Sequence, residues 1–356
     1  MPQTSDVTPP DASVRAGRVE FLDAIRGVAA AAVVLEHALE AWMPEYTRYA
    51  LQYLSVGRIG VVAFFLVSGY VVGMMLSTQD VRVFAVRRFW RLFPVYWLVL
   101  GVAILVQLPT HPAAEHGILV LVANLLMVQG IVALPSVLGS AWTLGPELLY
   151  YVQSGLGKHL GHLDRTVYAG YAWLALYAAM SVTGYAIGKE LPATTPLMLF
   201  LASFGHSIHL RERRGSRVWI GYACATLVVV PLCSAPLIAS QQDPAHGYGL
   251  IGFNLSVWVG VLLFTVFSLR RSSRSVPSML WLGAVSYALY LLHLPVIDGV
   301  RSVVPSPWAG VPVAVTLSVT AAWVVHRWFE TPFIELGRRF SRGRGPVPSQ
   351  SGRRPS

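Results

Sequence analysis

The sequence predicts an all-α polytopic membrane protein, with about ten transmembrane helices, one candidate re-entrant segment and both termini in the cytoplasm. Three observations carry that prediction. Of 356 residues, 54% are hydrophobic and 12% charged, and the mean hydropathy is +0.56, which leaves too few polar residues to clothe a soluble core. Apolar runs of about 17 to 25 residues, the length a helix needs to cross a hydrocarbon layer of about 30 Å, recur from Ile25 nearly to the end. Between those runs the basic residues gather in clusters. A strand barrel would need shorter segments of alternating polarity, a pattern this chain lacks.

Taken in order, the apolar segments fall at 25–43, 58–77, 92–108, 118–134, 141–157, 166–187, 193–210, 218–239, 248–269, 278–297 and 308–328. The first 20 residues are polar and contain prolines, with no short apolar stretch before a small-residue cleavage site, so no cleavable signal peptide is expected. Residues 1–17 and 341–356 are rich in Pro, Ser, Gly and Arg and read as disordered tails. The expected organisation is an N-terminal tail at 1–20, a membrane domain at 21–336 and a basic C-terminal tail at 337–356.

The net charge of +10 comes from 27 Lys and Arg against 17 Asp and Glu. Four arginine clusters carry it: Arg82, Arg87, Arg88 and Arg91; Arg211, Arg213, Arg214 and Arg217; Arg270, Arg271 and Arg274; and Arg338, Arg339, Arg342 and Arg344. Clusters separated by spans mark the cytoplasmic side and meet anionic lipid of the bilayer; they do not form one nucleic-acid patch, and no nucleic-acid partner is expected. Between the first two clusters the chain must cross an even number of times, yet five apolar segments lie there. Residues 118–134, followed by Pro135 and Gly139, are the segment expected not to span. A re-entrant backbone is tolerated where protein or water covers it. The same count places Lys158, His159, His162 and Arg165 in the cytoplasm. Cys224 and Cys233, about 13 Å apart along a helix, are too distant for a bridge and read as small buried hydrophobes.

The first helix carries ionisable groups at membrane depth. At about 100° per residue, the eleven-residue interval from Arg26 to His37 brings both onto one face, about 16 Å apart along the axis. Glu40 lies on roughly the same side; Glu36 points about 100° away. His37 reads either as a neutral histidine bonded to a neighbouring helix or as a general base, and ionisable residues inside a membrane are functional candidates by default. Gly57, Gly60, Gly69 and Gly73 permit close approach of a helix or a ligand. Arg87, Arg88 and Arg91, ahead of Pro94, suit either a topology anchor or the phosphates of a donor such as a coenzyme A thioester. Glu147, between Trp142 and the pair Tyr150 and Tyr151, could be a protonated structural group, orient a histidine or grip a sugar hydroxyl. Trp142 and Tyr150 are the expected substrate contacts. Ser286, Tyr287, Tyr290 and His293 cluster near a helix end, with His293 read as structural. The pairs His159/His162 and His206/His209 lack a companion cluster of Cys, Asp or Glu, and no metal site is expected.

In order along the chain, "FLDAIRGVAAAAVVLEH", "GVVAFFLVSGY", "RRFWRLFPVY", "WTLGPELLYY", "SYALYLLHLP" and "ETPF" resemble the membrane acyltransferase type 3 family. Its bacterial members transfer acyl groups from coenzyme A thioesters to sugars, lipids or natural products. The resemblance covers residues 21–333. It implies that His37 matches the family's essential histidine, Arg26 its partner on the first helix, Arg88 and Arg91 its basic motif, and Glu147 its acidic residue. Two departures stand out: Glu36 occupies a place where an uncharged residue is usual, and Gly-Pro-Glu replaces Ser-Val-Glu. The extra periplasmic esterase-like domain of some members has no counterpart in this sequence.

The resulting expectation is a multi-pass enzyme of the bacterial inner membrane. It takes acyl-CoA, with acetyl-CoA the expected donor, as a substrate and holds no permanent cofactor. It acylates a hydroxyl of a sugar, glycolipid or glycosylated natural product, with His37 as base and Glu147 orienting either His37 or the acceptor. A proton-coupled secondary transporter using His37, Glu36 and Glu147 as a relay is the rival reading.

Overall fold

The computed structural model describes residues 12–107, 117–132, 134–241, 248–270 and 276–341, with the side chains of 12–19, 269 and 270 excluded. Among these residues the structure is helical, with no strand. The helices are α1 (Ala12–Trp42), α2 (Pro44–Gln52), α3 (Val56–Thr78), α4 (Val81–Gln107), α5 (Ile118–Leu125), α6 (Leu144–His159), α7 (Ala169–Ile187), α8 (Thr194–Arg214), α9 (Val218–Ala239), α10 (Leu250–Arg270), α11 (Pro277–Val303), α12 (Pro307–Val325) and α13 (Thr331–Ser341). By length and composition, six helical stretches can cross a membrane: α3, α4, α9, α10, α11 and the continuous run from α12 into α13. On α4 and α9 the side chains of Leu105, Val106, Leu227 and Leu232 are more than half exposed, a cost in water that lipid removes.

α1 and α3 form the middle of the bundle. α1 lies against α11, α3 and α12, and α3 against α8 and α10. Glycine lets two of these pairs come within backbone contact. A Cβ on Gly283 of α11 would enter the backbone of Asp23 on α1, and one on Gly69 of α3 would enter that of Ala202 on α8. Small residues at such crossings allow the close van der Waals packing that holds helices together in lipid.

Residues 118–134 do not form one long helix. α5 has 8 residues, about 12 Å, too short to cross the hydrocarbon layer. Met127, with φ of 59°, turns the chain in the left-handed region, and Asn124 satisfies the exposed backbone. Its Nδ2 donates to the carbonyls of Val120 and Pro135, both at 2.9 Å, while its Oδ1 accepts from the Val137 N–H at 2.9 Å. Tyr96 and Trp97 of α4 tie the segment down through the carbonyls of Asn124 and Leu125. Non-helical backbone is stable here because those groups are paired.

Contacts among the described residues tie Arg87, Arg213 and Arg214 to neighbouring helix ends and connections. Asp164 pairs with Arg213, at 3.9 Å, and with Arg214, so the 158–168 connection sits beside the end of α8. Tyr70, in the second half of α3, donates to Glu212 at 2.6 Å, and Arg87 donates to Ser341 at 2.9 Å. α13 packs on α4 through Trp90, whose ring stacks on Phe333 and on Phe340, both at 5.7 Å between centroids.

Helix extends into both expected tails. Residues 12–20 belong to α1, and 337–341 to α13, which carries apolar Phe333 and Phe340 on one side and Arg338 and Arg339 near its end. Residues 1–11 and 342–356 lie outside the described residues, as do Arg271, Arg274, Arg342 and Arg344. Both cysteines are free, but Cys224 is exposed and Cys233 intermediate. Neither is the buried hydrophobe expected, because α9 turns much of its surface outward.

Candidate active site

Two cavities lie along the face of α1 that carries Arg26 and His37. The first, of about 90 Å³, is lined by Arg26 of α1, Ser68 of α3, Arg88 and Arg91 of α4, Glu147 and Tyr151 of α6, and Ser286, Tyr287 and Tyr290 of α11. The second, of about 260 Å³, holds Glu36, His37 and Glu40 of α1, Ser55 and Arg58 at the start of α3, Trp142, Tyr248, and Tyr290 and His293 of α11. Arg26 and His37 share one helix face, as the eleven-residue interval requires, but face different cavities.

The first cavity is rich in positive charge. Arg26, Arg88, Arg91 and Glu147 are close enough for their charges to interact. The carboxylate is held by neutral groups, accepting from Ser68 Oγ at 3.2 Å and from the Tyr151 hydroxyl. Arg88 lies over the rings of Phe84 and Tyr151, and its Nη2 meets Met75 Sδ at 2.9 Å. None of the three arginines forms a salt bridge with a described residue. Three guanidiniums against two carboxylates, Glu147 in the cavity and Asp23 one turn before Arg26 on α1, leave an excess of hydrogen-bond donors suited to an anion with several oxygens, such as a phosphate.

In the second cavity the charges are organised within the protein. Glu40 Oε2 lies 2.9 Å from His37 Nδ1, one helical turn along α1. His37 Nε2 has no partner among the described residues. A carboxylate on Nδ1 fixes the tautomer with the proton on that nitrogen, leaving Nε2 as the acceptor. The imidazole stacks on that of His293, with centroids 5.3 Å apart and planes 17° apart.

Glu36 is buried and accepts from Ser55 Oγ at 2.6 Å, with Gly57 leaving room for its carboxylate. Ser55 Oγ in turn accepts from the Arg58 backbone N–H at 3.0 Å. The Arg58 guanidinium lies 3.8 Å over the Tyr248 ring. On α2, burial first, then the charges of Glu36 and Glu40, push the Tyr46 phenol up to about 12, so it keeps its proton at neutral pH.

The structure thus brings Arg26, Arg88, Arg91 and Glu147 together and sets His37 apart with Trp142. Glu147 does not reach His37: the carboxylate that orients the imidazole is Glu40, because Glu147 faces Ser68 and Tyr151 in the other cavity. Tyr150 is also displaced from its expected place. It is 1% exposed within the main core and lines neither cavity, whereas Tyr151, one helix step round, does. Glu40 was legible as the i+3 neighbour of His37. Ser55, Arg58 and Tyr248 were not, since nothing in the local pattern brings them to His37.

Over residues 19–327 the chain matches the family described as "Acyltransferase domain". It is similar to the exopolysaccharide production protein ExoZ of Rhizobium meliloti (strain 1021), with 25% identity over 300 residues, 80% of this chain and 92% of that protein. No solved structure matches.

Proposed function

The chain belongs to this acyltransferase family, and on that premise we propose that it transfers an acetyl or other short acyl group from acyl-CoA to a carbohydrate hydroxyl. The family match favours acyl transfer over the transport alternative. The observation that carries the reading is His37 in a cavity, its Nδ1 held by Glu40 and its Nε2 open. In this reading the donor phosphates meet Arg88, Arg91 and Arg26, and the thioester end reaches toward His37, about 16 Å along α1. His37 Nε2 takes the proton of the acceptor hydroxyl as that oxygen attacks the thioester carbon. Positioning two substrates lowers the barrier alongside the proton transfer. Glu147 keeps the arginine side chains apart and directed at the donor, and Trp142 supplies an aromatic face for a sugar ring.

The carbohydrate acceptor is supported by the likeness to a protein named for exopolysaccharide production. A bundle of ten spans in a bacterial plasma membrane, with both termini and the basic clusters cytoplasmic, completes the proposal and rests on the positive-inside rule. Purified protein in lipid, given radiolabelled acetyl-CoA and a panel of glycans, is expected to release coenzyme A and label a glycan. Folded His37→Gln protein with undiminished turnover would overturn the reading.

A further inference from the structure

The two cavities share only two of the residues that line them, Val61 and Tyr290. A donor seated among the arginines and a hydroxyl presented to His37 must meet where these linings coincide, so the thioester carbonyl comes to lie beside Val61 and Tyr290. Of the two, only Tyr290 has a polar group. Thr143 Oγ1 lies 3.0 Å from its hydroxyl and 3.5 Å from the Ser140 carbonyl; with its single proton given to the nearer Tyr290 oxygen, the phenolic proton is free for another acceptor. The ring is held on two sides, by the edge of Phe64 at 6.0 Å and by His293 at 5.7 Å between centroids. His293 is the same side chain that stacks on His37, so the ring of Tyr290 and the imidazole of His37 are braced by one residue.

We propose that Tyr290 is a catalytic residue whose hydroxyl donates a hydrogen bond to the thioester oxygen as negative charge develops there. This rests on the acyl-transfer reading above. The acceptor oxygen forms a bond to the carbonyl carbon while its proton passes to His37 Nε2, and the carbonyl π electrons move onto oxygen, where Tyr290 O–H stabilises them without giving up its proton. On collapse the C=O re-forms, the C–S bond breaks, and the thiolate takes the proton from His37. The products are the ester and free coenzyme A. A prepositioned donor of this kind acts most strongly in a site shielded from water.

The test compares wild type, His37→Gln, Tyr290→Phe and a protein with 3,5-difluorotyrosine at position 290, all in lipid. Acetyl-CoA is the donor, a mixture of glycosides is the acceptor, and coenzyme A binding is measured separately. Phenylalanine keeps the ring and its packing, so kcat is expected to fall by about 10²- to 10³-fold with coenzyme A affinity unchanged. Difluorotyrosine, a stronger donor while protonated, is expected to transfer acetyl at least as fast as wild type below the pKa of its phenol. Tyr290→Phe with wild-type kcat, or a loss matched by lost coenzyme A binding and not restored by difluorotyrosine, overturns this inference alone. Wild type without His37-dependent transfer overturns the functional reading and this inference with it.

Discussion

The arginine cavity and the histidine cavity lie on one face of α1, yet they treat charge in opposite ways. Around Arg26, Arg88 and Arg91 the positive groups lack salt-bridge partners among the described residues, and the carboxylate lining the cavity, Glu147, is bonded to hydroxyls. Around His37 the carboxylates are engaged within the protein, Glu40 with His37 and Glu36 with Ser55, and the Arg58 guanidinium rests on the Tyr248 ring. A buried charge left without a partner costs several kcal/mol, so the first cavity gains stability when an anion arrives. In the second His37 already has its carboxylate, and its Nε2 is a proton acceptor, although Arg58 Nη1, Glu36 Oε2 and the ring nitrogens of His293 have no hydrogen-bond partner among the described residues. One cavity is therefore suited to binding and the other to chemistry.

The comparison can be broken most directly at His37. His37→Gln is expected to cut acyl transfer by about 10²- to 10⁴-fold while leaving coenzyme A affinity intact, as read by single-turnover rates beside equilibrium binding. Equal damage to both would mean that the cavities do not divide the work. Next in size, Arg91→Ala, or Arg88→Ala, is expected to cost about 1.5 to 3 kcal/mol of donor binding, visible as a raised Kd for coenzyme A. Its kcat at saturating donor should stay near wild type.

Glu40→Gln sharpens the comparison within the histidine cavity. The amide can still accept from His37 Nδ1 but no longer stabilises the imidazolium, so kcat is expected to fall by about tenfold, the equivalent of about 1.4 kcal/mol, without a change in donor Kd. Glu147→Gln should do the reverse, altering donor Kd more than kcat; a kcat loss with Kd unmoved would return Glu147 to the chemistry. The smallest contrast pairs Trp142→Ala with Tyr150→Phe. The first should raise the KM for a glycan acceptor a fewfold, whereas the second should leave acceptor KM alone and register in thermal stability instead.

Much of the fold was legible in the chain. The runs at 218–239 and 278–297 reappear within Val218–Ala239 and Pro277–Val303, because about twenty apolar residues in a row admit few structures besides a helix. The weak region was 108–157, within whose described residues from 117 on helices, turns and Asn124-mediated contacts alternate within a few residues. There the backbone depends on side chains such as Tyr96 that come from another helix, and no local pattern encodes that. Tyr150 illustrates the same limit at one position: which of two adjacent tyrosines faces a cavity depends on how α6 is rotated against α3 and α4.

By itself the sequence determined that the chain is helical and membrane-embedded, that Arg26 and His37 share a face, and that Arg88, Arg91 and Glu147 are candidates for a site. These follow from composition and helical period, which act along the chain. The tertiary structure decided that the face is divided between two cavities, that Glu40 and not Glu147 holds His37, and that Tyr290 lines both cavities. Such facts depend on how closely α1 approaches α3 and α11 at Gly60 and Gly283, since packing between helices fixes distances that the spacing within one helix leaves free.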